Sequence, residues 1–207
     1  MNQLNEQAFY YDTALLPPTF TVCGVALKPF CLGHFLILRQ LGSPMNIEKE
    51  MPSNLSAEEG LYYLFHAILV CGMSYEENLE LLRDDKSFIK IGKQFSKNLL
   101  KNIKQDKNWN ILHKFRLFKQ YIAYFMDGPA WEELGKASKD SPSGSDWCQG
   151  LCSILKMHYN YTDTEIMNMS FRQALYLWTS YAEEQGAVKV MNKSSMNMIA
   201  KARGLIK

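Results

Sequence analysis

Three sets of side chains could do chemistry by type and spacing: thiols near imidazoles, adjacent carboxylates, and a periodic row of lysines. Cys31 and His34, or Cys148 and Cys152, could each offer two metal ligands from one helical face. Neither pair is a CxxC and no second half follows at zinc-like spacing, so no metal site is expected. The five cysteines (Cys23, Cys31, Cys71, Cys148, Cys152) are odd in number, and the start of the chain reads as no secretory signal. They are expected as free structural thiols in a reducing compartment, with Cys71 a small buried hydrophobe.

The four histidines fall on four separate predicted helices. His66, inside an apolar helix, reads as a satisfied core residue; His34 and His113 read as partly exposed. His158 ends a helix, where a cation suits the dipole. No P-loop, GxGxxG, HExxH or GxSxG is present, and no Ser or Cys nucleophile shares a local frame with a base. The expectation is a non-enzymatic chain with no catalytic residue and no cofactor. The pairs Glu58-Glu59, Glu76-Glu77 and Glu132-Glu133 fall in predicted first helical turns, where they complement the dipole. Glu183-Glu184 lies in a last turn and opposes it, which reads as an exposed contact.

The lysine row is the best-defined surface signal. Lys86, Lys90, Lys93, Lys97, Lys101 and Lys104 step by 4, 3, 4, 4 and 3 residues, so they share one side of a helix. The whole chain of 207 residues carries 23 Lys/Arg against 21 Asp/Glu, a net +2. Between Arg83 and Lys119, however, eleven Lys/Arg face three Asp, an excess of eight that leaves −6 for the remainder. Such a face is either solvated or a partner-binding surface for an acidic protein or a nucleic-acid backbone. Against nucleic acid stand the absence of Arg from the stripe and the expected placing of Phe88, Phe95 and Leu99 on the opposite face.

These residues must be positioned by helices. The capping-box pattern S/T-x-x-E recurs at Ser56–Glu59, Ser74–Glu77 and Thr162–Glu165, and Asp146 opens a looser version. The apolar spacing predicts a central helix over Leu61–Met73, apolar nearly all round, and a short one over Glu76–Arg83 with Leu79 and Leu82 inward. Further helices are predicted over Lys86–Ile103 and Trp109–Met126, the latter with Leu112, Phe115, Phe118, Ile122 and Phe125 aligned. Pro129 is expected at the first turn of a short helix through Leu134. Beyond a Ser/Gly loop come helices over Asp146–His158, Asp163–Met167 and Ser170–Gln185, the last stopped by Gly186. Val188–Val190 is expected to be briefly extended and Ser195–Arg203 to form a final weak helix or a frayed tail. Near the start, Phe20–Leu27 is expected as one strand of a small hairpin, followed by a helix over Phe30–Gln40 ended by Gly42-Ser43-Pro44.

The fold class is therefore all-α, an irregular bundle of about seven to nine helices with at most a short β hairpin near the N-terminus. Residues 1–134 are expected as the main domain with an extended N-terminal segment, 135–145 as a loop, and 146–207 as a C-terminal helical unit packed on or tethered to it. With 47% apolar and 21% charged residues, the composition excludes a disordered tail. The stretch Leu61–Met73 falls short of the ~20 residues that span a bilayer, so no membrane association is expected.

Two segments carry a resemblance. Leu27-Lys28-Pro29-Phe30-Cys31-Leu32-Gly33-His34-Phe35, running to Leu41-Gly42-Ser43-Pro44, resembles the opening of small proteins encoded among bacteriophage and prophage tail genes. Tyr161-Thr162-Asp163-Thr164-Glu165 through Phe171-Arg172-Gln173-Ala174-Leu175-Tyr176-Leu177-Trp178 to Glu183-Glu184-Gln185-Gly186 resembles the closing helices of tail assembly chaperone-type proteins. Together they cover under a quarter of the chain. Met169-Ser170 stands where that pattern has Met-Pro, and the basic helix has no counterpart in it. The resemblance implies a helical, non-enzymatic chaperone or morphogenesis factor in the bacterial host cytoplasm. It would hold a tape-measure or tail-tube protein before assembly; no functional residue carries over. The alternative is a nucleic-acid-binding regulatory protein acting through residues 83–119.

Overall fold

The computed structural model describes residues 17–46, 56–105, 109–133 and 146–191. The fold is all-α: eight helices among the described residues supply most of the core, accompanied by two two-stranded ribbons. The chain divides into two compact units, one of Pro18–Phe125 with Met167–Met169, the other containing Met126–Ile166 and the chain from Ser170. The units thus part at Phe125/Met126, whereas the composition places the boundary in the 135–145 loop, which lies outside the described residues, as does the expected helix Ser195–Arg203.

The first unit opens with a hairpin of β1 (Phe20–Val22) and β2 (Val25–Leu27), paired antiparallel with Phe20 opposite Leu27. The Phe20–Leu27 segment is therefore both strands and not one. Cys23 (φ 53°) and Gly24 (φ 79°) both take the left-handed conformation of a two-residue primed turn, and this chain reversal is what shortens the strands. Helix α1 (Leu32–Gln40) ends where Gly42 turns left-handed, with Ser43 N–H donating to the Leu38 carbonyl at 3.0 Å and Gly42 N–H to that of Arg39. Helices α2 (Ala57–Gly72) and α3 (Tyr75–Leu82) both start on complete capping boxes, Ser56 with Glu59 and Ser74 with Glu77. The serine hydroxyl and backbone N–H hold the Glu59 carboxyl below its usual range, and the same groups of Ser74 do so for Glu77.

In α3 the buried positions are Asn78 and Leu81, while Leu79 and Leu82 are half-buried, a rotation from the expected inward face. The Asn78 amide explains it: Nδ2 donates to the Val70 and Ser74 carbonyls, both at 2.9 Å, tying α3 to the end of α2. Helix α4 (Asp85–Gln105) and helix α5 (Ile111–Met126) follow. The core holds Phe30, Phe35, Leu38, Leu64, Ile68, Phe118, Tyr121 and Phe125. Leu112, expected on the inward face of α5, is instead 70% exposed.

In the second unit β3 (Ala130–Glu133) pairs antiparallel with β4 (Val188–Met191), Trp131 lying opposite Val190. Where a short helix from Pro129 through Leu134 is expected, Ala130–Glu133 are thus a strand, and Leu134 lies outside the described residues. So short a helix gains little against its nucleation cost, and here the strand gains a partner and sets Trp131 edge-on to Trp178 at 5.1 Å. Helices α6 (Trp147–Tyr159) and α8 (Phe171–Glu184) carry many of the unit's buried side chains, among them Leu151, Leu155, Phe171 and Ala174. Between them in sequence is the short α7 (Asp163–Asn168). The Glu183-Glu184 pair has a structural use here. Glu183 accepts the Val190 N–H at 3.2 Å, and Glu184 meets His158 Nε2 at 3.2 Å.

Candidate binding groove

Reactive side chains named by the sequence form a closed cluster and an open groove in the Pro18–Phe125 unit, while Cys148, buried, and Cys152, half-buried, lie as thiols on α6 of the other unit. Cys31, Cys71, His34 and Tyr121 are all buried. The Tyr121 hydroxyl donates to the Lys28 carbonyl at 2.8 Å and is in hydrogen-bond contact with the Cys71 thiol. His34 is only 1% exposed, a correction to its expected half-exposed position, and its Nε2 lies 2.7 Å from the Met73 carbonyl. The cause is the buried face of α1 on which it lies, with the ring of Phe30, just before the helix, stacked on it at 6.1 Å. Burial pulls the His34 pKa down to about 4, with the Met73 and Pro29 carbonyls opposing only in part. Burial also pushes the Cys31 thiol up to about 12 and raises Cys71 further. A catalytic cysteine needs the reverse, a thiolate beside an imidazolium. Here both partners are held neutral and away from solvent, so this cluster works as part of the core. Among the described residues, no three His, Cys, Asp or Glu side chains gather in a way that could hold a metal ion.

The groove lies between α2 and α4 and encloses about 800 Å³. Tyr62 and His66 on α2 face Phe88, Ile89 and Leu100 on α4. The row Gly92, Ser96, Leu100 steps one turn at a time along the floor, and Lys93, Lys97, Lys101 and Lys104 edge it. Tyr62, Ile89 and Leu100 are 58%, 54% and 42% exposed, an unusual share of apolar surface for one region. No helix of the described residues is long and apolar enough to cross a membrane.

Local sequence explains the arrangement. Asp84 opens α4: its carboxylate accepts the Ser87 hydroxyl at 2.6 Å and the Lys86 N–H at 3.1 Å, which together hold its pKa below the usual range. From that start Leu99 reaches the core and Phe95 is half-buried, so the lysine row turns outward. His66 is not in the core as expected. It is half-buried at the groove wall, Nδ1 lying 2.8 Å from the Tyr62 carbonyl and its ring 4.1 Å from that of Tyr62.

Of the six lysines singled out by spacing, Lys93, Lys97, Lys101 and Lys104 line the groove, while Lys86 and Lys90 are exposed on α4 outside it. The expectation that Phe88, Phe95 and Leu99 sit on the face opposite the lysines is corrected for Phe88, which shares the groove with them, and Tyr62 joins from α2; Phe95 and Leu99 do not line it. None of the four rim ammonium groups is paired with a carboxylate among the described residues. Sequence reasoning missed Tyr62, Ile89, Gly92, Ser96 and Leu100 as site residues. The available signal was Gly92, a glycine inside a strongly helical pattern.

Compared with protein-family models, with curated proteins and with solved structures, the chain gave no match.

Proposed function

We propose that this chain is a non-enzymatic protein-binding module, a phage or prophage tail assembly chaperone or morphogenesis factor acting in the bacterial cytoplasm. The observation that carries the protein-binding part is the groove: apolar side chains left open to solvent between two helices, beside lysines that have no carboxylate partner among the described residues. Burying such a surface against a partner removes apolar area from water and brings anions to the rim. The tail setting is supported by the two motif segments. Their residues Phe30, Phe35, Phe171 and Ala174 are core positions, so the segments resemble that family in what builds a helical scaffold.

Co-expression with the products of neighbouring tail genes tests the reading. The expected result is co-purification with a long helical tail protein, and binding to none of those products removes the tail assignment. A second reading, nucleic-acid binding through residues 83–119, gains from the sharing of one groove by Phe88 and the lysines. It predicts affinity for DNA or RNA that falls steeply with salt and is lost on Lys90/Lys97/Lys101→Glu.

A further inference from the structure

We propose that the groove between α2 and α4 receives an acidic amphipathic helix of a partner protein, with its apolar side chains over Gly92 and Ser96 and its carboxylates along Lys93, Lys97, Lys101 and Lys104. This rests on the protein-binding reading above and adds the chemistry of the partner. Three observations carry it.

The first is charge. The four rim lysines recur at one-turn spacing, and like charges one turn apart repel along a helix. Among the described residues, the groove lining contains no carboxylate to offset them. A second helix laid alongside presents carboxylates at the same one-turn repeat, so one register neutralises all four.

The second is shape. The lining residues on α4 run from Phe88 to Lys104, about 24 Å of helix axis, which matches roughly sixteen residues of a docked helix. Gly92 and Ser96 keep the floor low between Phe88 and Leu100, which permits the close axis-to-axis approach of helix packing. A Cβ at Gly92 would meet a single atom within 4 Å among the described residues, His66 Nε2 at 3.9 Å. The packing around α4 therefore leaves room for a side chain there, and glycine weakens a helix interior. A docked backbone accounts for its use.

The third discriminates against a nucleic acid. Ile89 and Leu100 are aliphatic and offer no stacking face, one side of the Tyr62 ring already lies against the tilted His66 ring at 4.1 Å, and the rim has no arginine among the described residues.

The test uses the full chain and four labelled probes, read by fluorescence anisotropy. One is a synthetic helix of about 20 residues with leucines at i, i+3/i+4 and i+7 and glutamates on its flanks. The others are its lysine-for-glutamate counterpart, a scramble of the same composition, and an oligothymidylate. Binding of the acidic helix, weakened by raising salt from about 0.15 M to about 0.5 M, is expected, with no binding of the scramble. Gly92→Leu fills the floor and is expected to reduce affinity about tenfold or more. Lys97→Glu/Lys101→Glu, at exposed positions that spare the fold, is expected to exchange preference towards the lysine helix.

Equal binding of the scramble, tighter binding of the oligothymidylate, or a folded Gly92→Leu variant with undiminished affinity would overturn the proposal. So would a self-association in sedimentation that the groove variants abolish, since the occupant is then a second copy. If Gly92→Leu does not fold, the lysine pair decides. A tail protein that co-purifies equally with both variants overturns the groove and leaves the protein-binding reading standing. Selective binding of the acidic helix without any tail partner supports the groove and removes the tail assignment.

Discussion

Two places in the Pro18–Phe125 unit are assembled from the same parts and end in opposite states. Around α1, His34 bonds to a backbone carbonyl, Gly33 lets another element approach, and the rings of Phe30 and Tyr121 close over them. Around α4, His66 bonds to a backbone carbonyl, Gly92 sits on the helix, and Tyr62 and Phe88 stand nearby, yet the space stays open. A Cβ on Gly33 would lie 2.5 Å from Tyr75 Cδ2 and 2.8 Å from the Met167 carbonyl, whereas one on Gly92 lies in ordinary contact. Residue type does not decide which place is closed and which stays open. Enclosure does: the closed cluster is sealed within the fold, and the open one keeps its cations and apolar surface exposed to solvent.

The strongest way to break this contrast is truncation on each side. Phe35→Ala empties a fully enclosed position and is expected to cost about 3–5 kcal/mol in urea unfolding. Tyr62→Ala, at a residue 58% exposed, is expected to cost under about 1 kcal/mol and to act on partner binding instead. Equal losses would mean that the groove is part of the core.

The next effect is a pH dependence confined to the closed side. The folded-state pKa of His34 is about 4 against an ordinary 6.5, so between these values the unfolded chain binds the extra proton. Its contribution is fully present above pH 6.5 and is lost as pH falls towards 4, by on the order of 3 kcal/mol. His34→Gln keeps a donor for the Met73 carbonyl and is expected to flatten the unfolding profile across that window. The capping carboxylates Glu59, Glu77 and Glu165 have depressed pKa values, so their share is lost only as pH falls below about 4.5 and remains in the variant. An unchanged slope between pH 6.5 and 4 would show that His34 is not enclosed.

Much of the scaffold was legible from residues that act locally. Ser56, Ser74 and Thr162 with their glutamates mark three helix starts because both halves of each box lie within one turn. Gly186 stops α8 where expected, its N–H donating to the Glu183 carbonyl at 2.9 Å. The misses depend on distant partners. Trp131 becomes a strand residue because Val190 lies opposite it, and Leu112 faces outward in a stretch whose spacing reads as inward. The groove was half legible: spacing located Lys93, Lys97, Lys101 and Lys104 on one side, because like residues one turn apart define a face. Spacing on α4 alone could not show that Tyr62 and His66 of α2 would complete the other wall.

The smallest effect separates the two glycines and has opposite signs. Gly33→Ala forces a methyl against a ring edge and against a backbone carbonyl that cannot rotate away, so a loss of about 1–3 kcal/mol is expected. Gly92→Ala adds a methyl where the nearest atom is 3.9 Å away and removes the entropic cost of a glycine inside a 21-residue helix. It is expected to raise stability by about 0.5–1 kcal/mol, read as a higher urea midpoint at unchanged m-value. A gain there means that the folded chain alone does not require the glycine, and that its use lies in what approaches the α4 surface from outside. A loss instead would mean that α4 needs glycine for its own packing against α2, and the groove floor would then belong to the same closed architecture as Gly33.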